Sequence, residues 1–226
     1  MKRTIAFLLL AGFVGIAPMS AQRDDDEPIR EKANAITLGP RLGLTFSTMG
    51  QPEDVALYDG AAMAFSFGAS MKARFGYATQ NTREGGTGFW GFGLEALYKQ
   101  NKVNVVDGNN MQLGYLEVPV TLQVYPMAKS NAMNSFYVEA GPDFALLVSK
   151  SPNQLVIPSA NLVYHTGDFS GGDIRFIVGL GYTVPHTSLN VNARYYVGTS
   201  NLASNFSCKM NSLEISLAWM FNIAKF

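Results

Sequence analysis

Residues 213–221 read LEISLAWMF, an alternation in which every second residue, from Leu213 to Phe221, is large and apolar. The residues between them are mostly small or charged, among them Glu214 and Ser216. A period of two residues is that of a β-strand with two different faces. The segment therefore predicts a strand whose two faces meet different surroundings.

The same alternation recurs seven more times along the chain. The other runs cover residues 36–46, 63–75, 90–99, 115–125, 136–146, 174–183 and 189–198. Only Leu97 breaks the pattern within its run. Most runs have at least the roughly nine residues that a tilted strand needs to cross a bilayer. Eight such runs predict an all-β protein, an eight-stranded antiparallel up-and-down β-barrel.

Alternation alone leaves two kinds of barrel open. A soluble lipocalin-like barrel has its apolar face inside, whereas a transmembrane barrel turns that face toward lipid. Glycine weakens a strand that faces water, but small residues suit a narrow and crowded lumen. The polar face here carries Gly39, Gly43, Gly68, Gly91, Gly93, Gly141, Gly179, Gly181 and Gly198. We therefore assign the polar face to the interior of a transmembrane barrel.

The charged residues of the polar face agree with an inward assignment. Six basic and five acidic side chains nearly balance, as a poorly hydrated and largely packed interior requires. They are Arg41, Lys72, Arg74, Glu95, Lys99, Glu117, Glu139, Asp143, Arg175, Arg194 and Glu214. We predict that they form an interior charge network. The alternative is the solvated face of an open sheet.

Two prolines oppose the strand assignment locally. Pro119 and Pro142 lie in the middle of their runs, and proline cannot donate to a strand ladder. A closed barrel has no edge strand to hold them. We therefore expect local β-bulges at both positions.

The N-terminus has the features of a secretory signal peptide at residues 1–21. Its apolar stretch, 5–17, is shorter than the ~20 residues that a single transmembrane anchor needs, and small residues around Ala21 suit cleavage. Residues 22–35 are too charged to form a core, so they predict a mobile periplasmic tail. The barrel domain is expected at 36–226.

Composition narrows the classes of function. Removing two basic residues with the signal peptide leaves 15 basic against 17 acidic residues, so nucleic acid is not expected as a partner. Cys208 is the only cysteine, which excludes an intrachain disulfide and a cysteine-rich metal site. Because no HExxH, Walker-type or GxSxG motif occurs, we expect no catalytic residue, no metal and no cofactor.

Five segments, in order along the chain, resemble the PorT-like outer-membrane β-barrel domain family of Gram-negative envelopes. They are residues 38–44 (LGPRLGL), 93–98 (GLEALY), 115–120 (YLEVPV), 137–142 (YVEAGP) and 193–201 (ARYYVGTSN). The resemblance covers about residues 36–226 and includes both mid-run prolines. It implies a small barrel in the bacterial outer membrane. Outer-membrane lipid, lipopolysaccharide and, during insertion, the barrel-assembly machinery are then the expected partners.

Loop lengths predict the orientation. If the tail is periplasmic, the outward connections are 47–60, 101–110, 150–172 and 199–209, and the third is the longest, as outer loops tend to be. Aromatic residues near the run ends predict interfacial girdles. The terminal Phe226 resembles the assembly signal of outer-membrane barrels.

The leading functional prediction is a non-enzymatic outer-membrane barrel with an envelope-structural or loop-mediated binding role, with 150–172 as the contact surface. A lumen filled by charged side chains disfavours a small-solute porin. A subunit of an envelope protein-secretion or assembly machinery is the main alternative. A lipid-modifying barrel enzyme would need a nucleophile and a base at the rim, and His165 with Ser159 or Ser170 is the only nearby set.

Overall fold

The structure is a computed structural model that describes most of the predicted barrel domain. The described residues are 34–50, 58–75, 88–105, 110–128, 133, 135–152, 154–157, 162–165, 170–184, 187–201 and 209–225. The predicted signal peptide, nearly all of the predicted tail, and Phe226 lie outside these residues. Within the described residues, no helix is long and apolar enough to cross a membrane.

Eleven strands are present among the described residues. They are β1 (Ala35–Met49), β2 (Tyr58–Phe75), β3 (Trp90–Val105), β4 (Asn110–Val124), β5 (Phe136–Ser151), β6 (Gln154–Ile157), β7 (Leu162–His165), β8 (Gly172–Thr183), β9 (Leu189–Gly198), β10 (Met210–Trp219) and β11 (Phe221–Lys225). An interruption at Met220 divides the last barrel strand into β10 and β11. Strands β6 and β7 form a separate two-stranded hairpin, so the barrel itself has eight strands.

The sheet closes on itself. Its order is β1, β2, β3, β4, β5, β8, β9 and β10, and β10 pairs back onto β1 in antiparallel register, with Arg41 opposite Ala218. Closure pairs every barrel strand on both sides and leaves no open edge. The prediction of an eight-stranded antiparallel up-and-down barrel is confirmed.

The two faces lie as their residue types predict. Large apolar side chains of the alternating runs point outward and are well exposed, as Leu42 and Leu217 are. The polar side chains of the same strands are buried inside, and Leu97, which shares their face, is buried with them. An apolar outer wall around a packed polar interior is the arrangement of a barrel that meets lipid rather than water.

The predicted bulges at the two prolines are wrong. Pro119 pairs with Asp143, and Leu122 pairs with Ala140 in the same register, so the ladder between β4 and β5 passes both prolines without a shift. The register shift between these strands lies instead next to Gly114. Each proline therefore removes a donor locally while the neighbouring pairs maintain the alignment.

The barrel has two distinct ends. We call the end with Ala35 and Lys225 the tail end, and the opposite end, which carries the β6–β7 hairpin, the hairpin end. The second predicted outward connection, 101–110, is mostly strand, because β3 continues to Val105 and β4 begins at Asn110. The third, 150–172, is likewise only partly a loop, since it contains the hairpin.

Candidate functional site in the barrel lumen

All eight barrel strands contribute to the predicted charge network. Because side chains alternate between the two faces of a strand, every second residue of each strand can point into the lumen. Ten of the eleven predicted side chains are buried: Arg41, Lys72, Glu95, Lys99, Glu117, Glu139, Asp143, Arg175, Arg194 and Glu214. Arg74, close to the tail end, is half-buried.

Arg194 joins opposite walls of the barrel. Its Nη1 lies 2.5 Å from Glu95 Oε2, and its Nε lies 2.5 Å from Glu139 Oε1. The strands that carry Arg194 and Glu95, β9 and β3, are four positions apart in either direction around the closed sheet. One pair of side chains therefore spans the diameter of the lumen at this level.

Arg41 extends the same cluster toward β10. Its Nη1 donates to Glu95 and its Nη2 lies 2.7 Å from Glu214 Oε1. Glu95 thus accepts from two arginines, and Ser70 is a third donor to it, at 2.8 Å. Charge-assisted hydrogen bonds of this kind are stronger than neutral ones and favour fixed side-chain positions.

Lys99 and Arg175 continue the network toward the hairpin end. Lys99 Nζ lies 3.3 Å from Glu214 Oε2 and 3.9 Å from Glu117 Oε2. Arg175 donates to Glu117 and lies 2.7 Å from Asp143 Oδ2. Ion pairs therefore form a continuous chain along the lumen from Glu139 to Asp143.

Asp173 is a member of this network that the sequence analysis missed. Its Oδ2 lies 3.7 Å from Arg175 Nε, and the side chain is buried. The strand begins at Gly172, two residues before the predicted run, and Asp173 has the inward parity of Arg175. When Asp173 is added to the eleven predicted residues, the described lumen contains six basic and six acidic members of the set.

Lys72 and Arg74 form a different layer at the tail end. Within the described residues neither joins the ion-pair chain: Lys72 Nζ donates to Tyr137 and to Asn190 Oδ1, the latter at 2.6 Å. Arg74 donates to the carbonyl of Gly88 at 2.6 Å, and its guanidinium lies 3.8 Å from the ring centroid of Tyr125. The partners described for these two cations are a cation–π contact and neutral acceptors.

Tyrosines fill the space between the charged groups. Lys99 Nζ lies 3.0 Å from the ring centroid of Tyr196, and Arg175 lies 5.5 Å from the same ring. Tyr137 is equally buried beside Lys72. The sequence placed these tyrosines on the polar face, but their role as aromatic partners of the cations depends on distances across the lumen.

The inward glycines have two separate causes. A Cβ at Gly181 would lie 2.2 Å from the ring of Tyr137, and one at Gly43 would lie 2.5 Å from Ser66 Oγ, so these glycines make room for side chains, as predicted. A Cβ at Gly141 would instead lie 2.0 Å from the backbone oxygen of Val120. At Gly141 the close approach of the neighbouring strand, rather than the crowded lumen, excludes a side chain.

An apolar layer closes the hairpin end of the lumen. Val103 and Leu113 are fully buried, and Met111 and Met210 are nearly so. Val103 pairs with Met111 across β3 and β4. The alternating pattern does not predict this layer because, beyond Lys99, the residues on the two faces of the strand do not differ consistently in polarity. The remaining signal was the continuing inward parity of residues 99, 101 and 103.

The described residues give no support to the alternative of a lipid-modifying enzyme with a nucleophile and a base at the rim. Ser159 and the side chain of His165 lie outside the described residues, and Ser170 donates its hydroxyl to the carbonyl of Gly172 at 3.1 Å. In the described part of the chain, no group of three or more His, Cys, Asp or Glu side chains is arranged to hold a metal ion.

Comparisons with known proteins identify the kind of barrel. The family described as outer membrane protein β-barrel domain matches residues 20–204. Thirteen solved chains resemble the structure, among them Neisserial surface protein A, with a TM-score of 0.44, 11% identity, and coverage of 82% of this chain and 97% of that one. No curated protein matches at the level of sequence.

Two further solved structures have the same general likeness. The attachment invasion locus protein Ail of Yersinia pestis has a TM-score of 0.42 and 12% identity, with coverage of 82% of this chain and 98% of Ail. The outer membrane protein OprG of Pseudomonas aeruginosa has a TM-score of 0.40 and 13% identity, with coverage of 87% of this chain and 99% of OprG.

Proposed function

Because the chain belongs to the outer membrane protein β-barrel domain family, we propose that it is a non-conducting, non-enzymatic barrel of the bacterial outer membrane. Its role is structural and includes the presentation of the connection between β5 and β8 to a binding partner. One observation carries the proposal: the ion pair between Arg194 and Glu95 reaches from one wall of the barrel to the opposite wall.

The lumen is filled at three successive levels. Lys72 and its tyrosine and asparagine partners occupy the tail end, the ion-pair chain occupies the middle, and the apolar layer around Val103 and Leu113 occupies the hairpin end. A hydrated ion would have to displace buried, paired charges to pass, and leaving one partner unpaired is costly. This packing supports a barrel without a pore.

We expect the purified protein to show no stable single-channel conductance in planar bilayers. A shift in mobility on heating in a detergent gel would first establish that the barrel is folded. The double variant Arg194→Ala/Glu95→Ala removes the pair that crosses the lumen and should raise the bilayer leak relative to wild type. Reproducible discrete steps with the wild-type protein would contradict the closed lumen.

The proposed orientation places the hairpin end outside the cell. The barrel begins and ends at the tail end, which fits a periplasmic N-terminal tail. The longest connection between barrel strands is then external, as is usual for outer-membrane barrels. The hairpin forms a sheet of its own within that connection, and its described strands pair with no strand of the barrel.

Replacing residues 153–166 with a short Gly-Ser linker should leave the barrel intact and abolish partner binding. We expect the variant to insert normally and to unfold within about 0.5 kcal/mol of wild type, as surface changes usually do. A photo-cross-linking residue at Val156 should form protein adducts in intact cells, whereas one at the lipid-facing Val178 should not. Protein adducts at neither position, or a destabilised linker variant, would contradict the display role.

Several finer assignments belong to the same proposal. The PorT-like segments support membership of that branch of outer-membrane barrels, and a role as a subunit of a secretion or assembly machinery would follow if Val156 cross-links to envelope proteins. Lipopolysaccharide around the outer wall, cleavage of the signal peptide, and recognition of Phe226 by the barrel-assembly machinery follow from an outer-membrane location.

A further inference from the structure

The outer wall of the barrel has a step at the hairpin end. Strands β5 and β8 pair only as far as Leu146 and Gly172, whereas β5 continues beside β4 to Ser151. Strand β9 also ends early, with Gly198 opposite Arg175. Strands β4 and β5 therefore extend farther at the hairpin end than the neighbouring strands β8 and β9.

A groove of about 690 Å³ lies at this step. Its apolar wall is a contiguous patch on three adjacent strands, in which Leu116 pairs with Leu146 and Phe144 pairs with both Val118 and Ile174. All five side chains belong to the exposed apolar wall. The volume lies within the range of about 300–1,000 Å³ that is usual for small-ligand sites.

The upper margin of the groove is polar. Ser170, Ser200 and Asn201 line it from the connections at the hairpin end. Among the described lining residues, Asp173 is the only charged one, and it is buried and lies 3.7 Å from Arg175. Hydroxyl and amide groups at a margin whose described residues include no cation suit an uncharged hydrogen-bonding head group rather than a phosphate.

Hydrogen bonds hold this margin in place. Ser200 Oγ accepts from the Ile174 amide at 3.2 Å and lies 3.3 Å from the Ile174 carbonyl oxygen, to which Thr199 also donates. The Leu147 amide donates to the carbonyl of Gly171 at 2.8 Å. A margin that is already ordered avoids part of the conformational cost of binding.

We propose that the groove binds one acyl chain of a membrane lipid whose uncharged head group meets Ser170, Ser200 and Asn201. The apolar wall is continuous with the surface that faces the bilayer, so the hydrocarbon chain is its natural occupant. The polar margin lies at the hairpin end of this apolar wall. The groove adds a selective lipid site to the proposed structural role and does not depend on whether the lumen conducts.

Native mass spectrometry of the full mature chain, released from detergent micelles, tests this site. The probes are monogalactosyl dioleoylglycerol, dioleoylphosphatidylglycerol with the same acyl chains and an anionic head, and free galactose. We expect one retained galactolipid per protein, lower occupancy by phosphatidylglycerol at equal concentration, and no retention of galactose.

The variant Val118→Trp fills the apolar wall and should lower galactolipid occupancy about tenfold, the equivalent of ~1.4 kcal/mol. Val178→Trp is the matched control, because Val178 is 43% exposed against 44% for Val118 and does not line the groove. Leu146→Trp provides a second groove variant if Val118→Trp fails the heat-modifiability test of folding. Equal retention by the groove variants and the control would mean unselective annular lipid and would overturn the proposal. Equal binding of phosphatidylglycerol would overturn its head-group assignment.

Discussion

Replacing Arg194 with methionine is expected to lower the free energy of unfolding by about 3–5 kcal/mol, the usual cost of removing one partner of a buried ion pair. Arg194 is 1% exposed and donates four hydrogen bonds to Glu95 and Glu139. Methionine keeps much of the length of the side chain but offers no donor, so two buried carboxylates lose a shared cation. Urea unfolding of protein refolded into phosphatidylcholine vesicles, followed by the fluorescence of Trp90 and Trp219, would measure the loss.

Arg74→Met is the control for the loss of an arginine in the same lumen. Arg74 is half-buried and pairs with a carbonyl and an aromatic ring, so we expect a loss of only about 1 kcal/mol. Adding Glu139→Gln to Arg194→Met should recover part of the stability, because one fewer buried charge is left uncompensated. Unchanged unfolding of Arg194→Met would mean that water, rather than Arg194, solvates the two carboxylates.

Replacing Leu217 with arginine should impair insertion, because a lipid-facing cation at the midplane of a barrel costs about 2–4 kcal/mol. Leu217 is 47% exposed on the outer wall and pairs with Leu42 and Val191, two further apolar residues of that wall. We expect a lower yield of heat-modifiable protein in the outer-membrane fraction. Urea unfolding of the fraction that does insert should show a matching loss of stability.

Ile223→Arg is the matched control for Leu217→Arg. Ile223 lies on the same outward face but close to the tail end, where a cation near the interface costs only about 0–1 kcal/mol. The contrast between the two variants therefore separates depth in the bilayer from the mere presence of arginine. An equal membrane yield of Leu217→Arg and wild type would contradict the lipid-facing assignment.

The membership of the lumen network could largely be predicted, but its pairing could not. A period of two and a choice of face were enough to select Arg194 and Glu95 as inward residues. The two are 99 positions apart in sequence and come from opposite walls. Only closure of the barrel, which sets strand order and register together, decides which cation meets which carboxylate.

Other parts of the interior had weak or no sequence signals. Val103 and Leu113 point inward although they are apolar. The alternation of apolar and polar residues that predicted the runs therefore ends before the strands themselves end. Asp173 lies immediately before the alternating run 174–183 and so outside the residues that the run assigned to the inward face. The strands of the hairpin are only four residues long, and their pairing was not predicted within a connection assigned as a loop.

The two mid-run prolines show the limit of a local argument. Considered alone, Pro119 and Pro142 predict irregular backbone, because each lacks an amide donor. The barrel instead retains the register of β4 and β5 on both sides of them. Pairs on either side of each proline, and the second neighbour of each strand, outweigh the loss of single hydrogen bonds.

The sequence by itself determined the strand number, the outward apolar face and most of the inward charges. The strand number follows from a two-residue period that every strand repeats, and the direction of the faces follows from the glycines and balanced charges on the polar face. The tertiary structure alone decided that Arg194 crosses the lumen to Glu95, that an apolar layer closes the hairpin end, and that unequal strand ends form a groove beside Ile174. These features arise between strands that are distant in the chain. They depend on register and closure, which the periodicity within a single strand does not specify.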